Sequence, residues 1–336
     1  MLSIPNFADK LCGEIEKKKS FLIGGLDFQP RYIPPYLIKG AVLDYGRSWE
    51  AMGVLAFRFN CAIIDAICDI VVAVKPNMAF LEQYGSWGIW AFEKTVEYAR
   101  SRGLLVIGDG KRNDGGDTAE AYADSYLGQV PFFGTDNDPA VLMRLDSPVK
   151  VDCLTVTPYI GEDCVGRFVT RVNEFGTGIF VVTKTSFKPN SVVEQLMTMD
   201  SVLGGGVPVW QRVAGLVQVW GKGTEGSSGL RNVGVVMGAT YPEDAVEMRR
   251  ILPNIFFLKP GYGGQGASAQ DSVLGIRKDG FGVVVNNSRN LTYAWQNAKG
   301  KHQCEPEKFA EASRLEALDN RDALVVAVRE SGNWPF

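Results

Sequence analysis

The sequence predicts an α/β protein of the closed (β/α)8 TIM-barrel kind. Three observations carry that prediction. Eight short apolar or β-branched runs recur along the 336 residues, with helix-periodic segments between them. Several runs are continuous rather than alternating, as parallel strands covered on both faces require. Polar residues gather at the C-terminal end of almost every run, where such folds place their chemistry.

The first run, 21–27, ends in Gly24-Gly25-Leu26-Asp27. A Pro-rich link from Pro30 to Pro35 leads into a helical stretch. The second run, 70–75, ends in Val74-Lys75-Pro76-Asn77, and helix periodicity follows over 87–102. The third, 104–109, continues into Lys111 and Asp114, and Thr118 and Glu120-Ala121 read as a helix start. The fourth, 153–157, ends in Thr155-Val156-Thr157-Pro158-Tyr159 and precedes a helix over 163–174. The fifth, 179–183, ends in Thr183-Lys184-Thr185-Ser186. An insertion around 190–231 then interrupts the rhythm. Its Gly204-Gly205-Gly206 and 221–229 stretches read as mobile loop, with helices over 198–203 and 209–220. The sixth run is 233–237, followed by a helix over 242–252 with Pro in its first turn. The seventh, 255–258, leads into Lys259-Pro260-Gly261-Tyr262-Gly263-Gly264-Gln265-Gly266. The eighth, 281–285, ends in Asn286-Asn287-Ser288-Arg289. One or two closing helices fill 305–331, and the expectation is a single barrel domain over 1–336.

Composition narrows the function. Hydrophobic content is 46%, charged content 22% and net charge −3, so no global basic field exists for a nucleic-acid polymer. A bound anion must therefore be held by local cations. No stretch approaches the ~18 uninterrupted apolar residues of a membrane span. The start, Met1-Leu2-Ser3-Ile4-Pro5, lacks the charged and apolar regions of a secretory signal. The six Cys (12, 61, 68, 153, 164, 304) form no Cys-x-x-Cys, so buried thiols in a reducing cytoplasm are expected. The single His, His302, is expected at the surface, which leaves neither a Ser-His-Asp triad nor a multi-His metal site.

The stretch Gly108-Asp109-Gly110-Lys111-Arg112-Asn113-Asp114-Gly115-Gly116-Asp117-Thr118-Ala119 carries the strongest signal. Side chains two apart share a strand face, so Ile107, Asp109 and Lys111 are expected to point the same way. An inward carboxylate and ammonium are costly unless paired. Lys75, closing the neighbouring strand, would complete an alternating array Lys75, Asp109, Lys111, Asp114. The run Gly261-x-Gly263-x-x-Gly266 fits a dinucleotide fingerprint, but Asn286 and Asn287 stand where that reading needs an acid. A phosphate cradle of glycine N–H groups, with Arg289 as bidentate cation, fits better.

Asp-x-Lys-Arg-x-Asp-x-Gly-x-Thr-Ala resembles the signature of the orotidine 5′-phosphate decarboxylase family, in its long-chain bacterial and protist branch. Pro260-Gly261-x-Gly263-x-Gln265-Gly266 and Ser288-Arg289 resemble that family's 5′-phosphate motifs. The resemblance implies conversion of orotidine 5′-monophosphate to UMP and CO2 in de novo pyrimidine synthesis, without cofactor or metal. It implies that Lys75, Asp109, Lys111 and Asp114 are catalytic, with Lys111 the proton donor to C6. It assigns Asp27 to the ribose hydroxyls, Thr185 and Ser186 to the pyrimidine edge, and Gly263, Gln265 and Arg289 to the phosphate, with Asn77 also at the substrate. It implies a cytoplasmic homodimer in which Asp114 and Thr118 reach the partner's site. Two departures stand out. Phe187 replaces a common Asn. Gly115 replaces a family Ile, removing an apolar wall and loosening the turn. A Mg²⁺-dependent sugar-phosphate decarboxylase of the same superfamily, a nicotinamide dehydrogenase using 261–266, and a non-catalytic nucleotide-binding barrel remain as alternatives.

Overall fold

The computed structural model describes residues 6–135, 138–187, 192–199 and 206–336. Among them, α1 (Phe7–Lys18) starts where the Asn6 side chain accepts the Asp9 N–H at 3.1 Å. Then come β1 (Leu22–Leu26), α2 (Pro35–Tyr45) and α3 (Trp49–Ile67), the last capped by Ser48 on the Ala51 N–H. β2 (Ala73–Pro76), α4 (Ala79–Glu82), α5 (Gly85–Ser101), β3 (Leu105–Arg112) and α6 (Gly116–Leu127) follow. An antiparallel hairpin, β4 (Gln129–Phe132) with β5 (Met143–Asp146), precedes β6 (Cys153–Val156), α7 (Glu162–Phe175) and β7 (Gly178–Lys184). The insertion holds α8 (Val192–Gln195), the hairpin β8 (Met197–Met199) with β9 (Gly206–Pro208), and α9 (Val209–Trp220). The chain ends with β10 (Arg231–Met237), α10 (Pro242–Ile251), β11 (Ile255–Pro260), α11 (Ala269–Val273), β12 (Val283–Asn287), α12 (Arg289–Thr292) and α13 (Phe309–Glu330).

Eight of these strands close a barrel in the order β1, β2, β3, β6, β7, β10, β11, β12 and back to β1. All neighbours are parallel, so each crossover must return across the outside, and the helices cover that outside. The closing register pairs Leu22 with Val285, and on the other side Gly25 meets Lys75. β1, β2, β6 and β12 are buried along their whole length, which explains their unbroken apolar runs. Outside the barrel, the Phe59 ring of α3 stacks on Tyr293 at 5.8 Å and on Phe309 at 5.3 Å. That stack fixes the start of the last helix against the first half of the chain.

All eight predicted strands are present, with ends shifted by a few residues. Other expectations need correction. The helix expected over 198–203 is not formed where it is described: Thr198 and Met199 lie in β8, paired with Gly206 and Val207. Thr198 Oγ1 donates to the Val207 carbonyl and accepts from Arg212 Nε, so this polar β-branched residue serves the hairpin. Residues 200–203 of that expectation, the glycines Gly204 and Gly205, and the Met1–Pro5 start read for a signal all lie outside the described residues. The 221–229 loop is not free. The Asp9 carboxylate of α1 accepts the N–H groups of Ser227 and Ser228 at 2.8 and 2.9 Å. His302 is half-buried, with Nε2 at 3.1 Å from Asp319 Oδ2. Three of the thiols, Cys61, Cys68 and Cys304, are only partly buried. No helix among the described residues is long and apolar enough to cross a membrane.

The base of the barrel is tied by Arg249. Its Nε donates to the Gly275 carbonyl at 2.5 Å, Nη1 to Leu252 and Ile255 at 2.7 and 2.8 Å, and Nη2 to Gly282 at 2.7 Å. Its planar fork lies over the Phe257 ring at 3.9 Å. Arg249→Met leaves those carbonyls without their donor and is expected to lower the unfolding free energy by about 2–4 kcal/mol in a urea titration. A change below about 0.5 kcal/mol would contradict this tie.

Candidate active site

The C-terminal strand ends meet at one mouth, around a cavity of about 360 Å³. Lys75 comes from β2, Asp109 and Lys111 from β3. Lys75 Nζ lies 2.5 Å from Asp109 Oδ2, and Lys111 Nζ 2.5 Å from Asp109 Oδ1. Thr155, at the end of β6, donates its hydroxyl to Asp109 Oδ1 at 3.0 Å and accepts the Lys111 N–H at 3.0 Å. The Lys75 and Asp109 side chains are 6% and 8% exposed, whereas Lys111 is 51% exposed. The result is a carboxylate gripped on both oxygens, with one ammonium beneath it and one facing the opening.

The electrostatics follow from that order. Burial pushes the Asp109 carboxyl up, but the Lys75 and Lys111 charges outweigh it and hold the group well below the ordinary carboxylate range. Burial works against the Lys75 ammonium, yet Asp109 and then Asp27 outweigh that and raise its pKa. Asp27, at the end of β1, goes the other way. Burial lifts its carboxyl above the ordinary value, and Lys75 offsets this only in part.

Lys111 does not sit in plain strand geometry. Its φ is +43°, in the left-handed region that non-glycine residues rarely adopt, and the β3–β6 register shifts between Gly108 and Arg112. Asp109 and Lys111 meet on one cavity as expected, but Lys111 reaches it from a kinked backbone rather than a plain strand. A kink, held by the Thr155 hydroxyl on the Lys111 N–H, turns the ammonium back over Asp109.

Of the sequence-predicted residues, Asp27, Asn77, Lys75, Asp109, Lys111, Thr185, Ser186, Gln265 and Arg289 line the same cavity. Arg289 opens α12, and its guanidinium has no ion pair or hydrogen bond among the described residues. Three predicted residues lie elsewhere. Gly263 is not in the lining. The cradle of glycine N–H groups is also not free, because Gly263 donates to Ala267 O, Gly264 to Tyr262 O and Gly266 to Gly263 O. Gln265 of this loop lines the cavity, as does Arg289. Asp114 and Thr118 stand outside the cavity, so the expected array of four is an array of three within one chain. Asp114 Oδ1 accepts the adjacent Gly115 N–H at 2.8 Å, and Thr118 is exposed.

The turn at Gly115 is approached from α7 and the residues before it. Asp163 Oδ2 accepts the Gly116 N–H at 2.9 Å and would lie 3.0 Å from any Cβ added at position 115. Ile160 is the nearest apolar side chain, at 3.7 Å.

Thr155, Asn286, Asn287 and Ser288 also line the cavity, although the sequence assigns none of them an individual role. The signal was present as polar residues at strand ends four and eight. Asp27 Oδ1, Asn286 Oδ1 and Asn287 Nδ2 are buried with no hydrogen-bond partner among the described residues. Unbonded buried groups of this kind cost about 1–3 kcal/mol each, so three at one cleft point to a polar ligand. A dinucleotide is disfavoured. The Gly-rich run follows a strand of a closed barrel, and the next strand end carries Asn286 and Asn287 rather than an acid. Among the described residues, no group of three or more His, Cys, Asp or Glu side chains is placed to hold a metal ion.

The Lys75–Asp109 pair has a definite pH signature. A depressed Asp109 stabilises the fold above the unfolded-state pKa of about 3.9 and loses that contribution as pH falls toward the folded value. A raised Lys75 stabilises below about 10.4 and loses its contribution as pH rises through its folded value. Lys75→Ala leaves a buried carboxylate one partner short and is expected to cost about 3–5 kcal/mol at pH 7 in denaturant unfolding. The deficit should shrink as pH drops below about 4. A loss under about 1 kcal/mol at pH 7 would contradict the buried pairing.

Comparison with known proteins places this fold in a family. The orotidine 5′-phosphate decarboxylase / HUMPS family model matches residues 22–296. An orotidine 5′-phosphate decarboxylase of Caldicellulosiruptor bescii is 38% identical over 292 residues, covering 87% of this chain and 91% of that protein. One from Rhodopirellula baltica is 35% identical over 318 residues, covering 95% and 98%. The solved OMP decarboxylase of Leishmania donovani superposes with a TM-score of 0.66 at 25% identity, covering 95% of this chain and all (100%) of that one.

Proposed function

The chain belongs to the orotidine 5′-phosphate decarboxylase / HUMPS family, and on that premise we propose that it is a carboxy-lyase converting orotidine 5′-monophosphate to UMP and CO2 in pyrimidine biosynthesis. One observation carries the reading. The Lys75–Asp109–Lys111 line and the unpaired Arg289 guanidinium line a single cavity, so one end suits a reacting centre and the other a phosphate.

The chemistry needs what these residues offer. Breaking the bond between C6 and the carboxylate leaves an electron pair in the ring plane, where the π-system cannot delocalise it. Charge must then come from fixed groups. The Lys111 ammonium, half-exposed at the mouth, stabilises the developing anion and then donates a proton to C6. Carbon dioxide leaves, the new bond is C6–H, and Lys111 regains its proton from solvent. Asp109 faces the substrate carboxylate, and its negative charge favours departure; Lys75 keeps it ionised and in place. The raised Asp27 carboxyl, with one oxygen unpartnered, suits the ribose hydroxyls, with Asn77 beside it. Thr185 and Ser186 take the pyrimidine edge. Gln265 and Arg289 take the phosphate, with Gly263 giving the loop its turn at φ +67°. Binding energy from that remote end helps lower the barrier at C6.

The active form in this reading is a cytoplasmic homodimer with shared sites. Asp114 and Thr118 stand off their own cleft, and next to them Ile160, at 3.7 Å from the Cβ position of Gly115, is 46% exposed. A second copy covering that apolar surface would bring both residues to its partner's site.

Two measurements test the reading. Absorbance loss as OMP becomes UMP is expected to persist in EDTA and to vanish in a folded Lys111→Ala variant; metal-dependent turnover would favour a sugar-phosphate lyase instead. Mixing dissociated and reassociated Lys111→Ala and Asp114→Asn subunits is expected to restore about a quarter of wild-type activity, since half the dimers carry one intact site. No recovery would contradict the shared site.

A further inference from the structure

We propose that Glu194 is a positioning residue, holding the Thr185–Ser186 wall of the cleft from outside; this rests on the decarboxylase reading above. Glu194 belongs to α8, in the insertion between β7 and β10. Its two carboxylate oxygens accept the Thr185 N–H at 3.1 and 3.2 Å. The same carboxylate lies 3.5 Å from Lys184 Nζ. Glu194 does not line the cavity, whereas Thr185 and Ser186 do.

Lys184 explains why a carboxylate is needed there. Its side chain is fully buried, yet it is absent from the cavity lining. Its other neighbours are the Tyr241 ring at 4.2 Å and Asp244 Oδ2 at 4.0 Å, a longer approach than that of Glu194. A buried ammonium of this kind is stable only with close opposite charge. Glu194 therefore balances Lys184 and fixes the next peptide with one group. The following two residues are held in the same manner from α10 and its approach. The Ser186 carbonyl accepts from Thr240 Oγ1 at 3.0 Å, and the Phe187 carbonyl from Tyr241 Oη at 2.7 Å. Three successive residues of the wall are thus fastened from behind, and only the Glu194 fastening comes from the insertion. No described residue of the insertion lines the cleft, so Glu194 is its described link to it. It sets where the polar edge of the pyrimidine meets Thr185 and Ser186, and it leaves the phosphate end to Gln265 and Arg289.

The test separates a local role from general damage by using two ligands on full-length protein. UMP carries the pyrimidine, and ribose 5-phosphate lacks it. Inhibition constants for both are measured in the wild type, Glu194→Ala and Glu194→Gln. The second variant keeps an oxygen acceptor for the Thr185 N–H, so it remains informative if Glu194→Ala fails to fold. Glu194→Ala is expected to weaken UMP about tenfold or more, raise KM for OMP more than it lowers kcat, and leave ribose 5-phosphate within about twofold. Glu194→Gln should recover part of the UMP loss. Equal weakening of both ligands in Glu194→Gln, or no weakening of UMP in either variant, would overturn the proposal. Failure of the wild type to bind UMP would instead overturn the nucleotide reading beneath it.

Discussion

Everything at the barrel mouth is arranged around one carboxylate with an ammonium on each oxygen. Asp109 is buried enough that it could not stay ionised alone, and Lys75 is buried enough that it could not either. Each makes the other tolerable, and their combined grip leaves Lys111 as the one member of the line that faces the opening. Thr155 completes the arrangement by bonding both the carboxylate and the Lys111 backbone. The positive φ at Lys111 is the conformational cost of bringing a third charge to the same point from the same strand as Asp109.

A closed parallel barrel is what makes this assembly possible. β2 and β3 are adjacent, so Lys75 and Asp109 are delivered to one level from neighbouring strands. The last strands return to pair with β1, and this carries the Gln265 loop and Arg289 round to the same opening. A cleft about 360 Å³ in volume then holds a charged floor and a cationic rim, with polar atoms of Asp27, Asn286 and Asn287 that have no partner among the described residues in its lining. The rim is less like a glycine nest than its sequence suggests. The N–H groups at 263, 264 and 266 close the loop on itself, while the Gln265 side chain and Arg289 line the cavity.

The eight strands were legible because full burial on both faces leaves an unbroken apolar run, a signal local in sequence. Lys75, Asp109 and Lys111 were legible for a related reason: charge at the end of such a run has nowhere to go but a partner. What was hidden depends on contacts distant along the chain. Thr198 and Met199 look helical in isolation and become a strand only by pairing with 206 and 207. The 221–229 loop looks free until Asp9, more than two hundred residues earlier, takes up its N–H groups. The left-handed backbone at Lys111, which brings its ammonium to Asp109, is not visible in the residue pattern. Asp114 and Thr118 stand off the cleft of their own chain, Asp114 in the turn after β3 and Thr118 in the first turn of α6. Glu194 could not be found from its neighbours in sequence, because its role is set by the buried Lys184 across the cleft wall.

The most direct test of the central claim is a crystal structure with UMP bound. Uracil C6 is expected within about 3.5 Å of Lys111 Nζ, with the Lys75–Asp109–Lys111 line intact beneath the ring and the phosphate between Gln265 and Arg289. A nucleotide whose ring points away from Lys111, or whose phosphate sits elsewhere on the molecule, would contradict it.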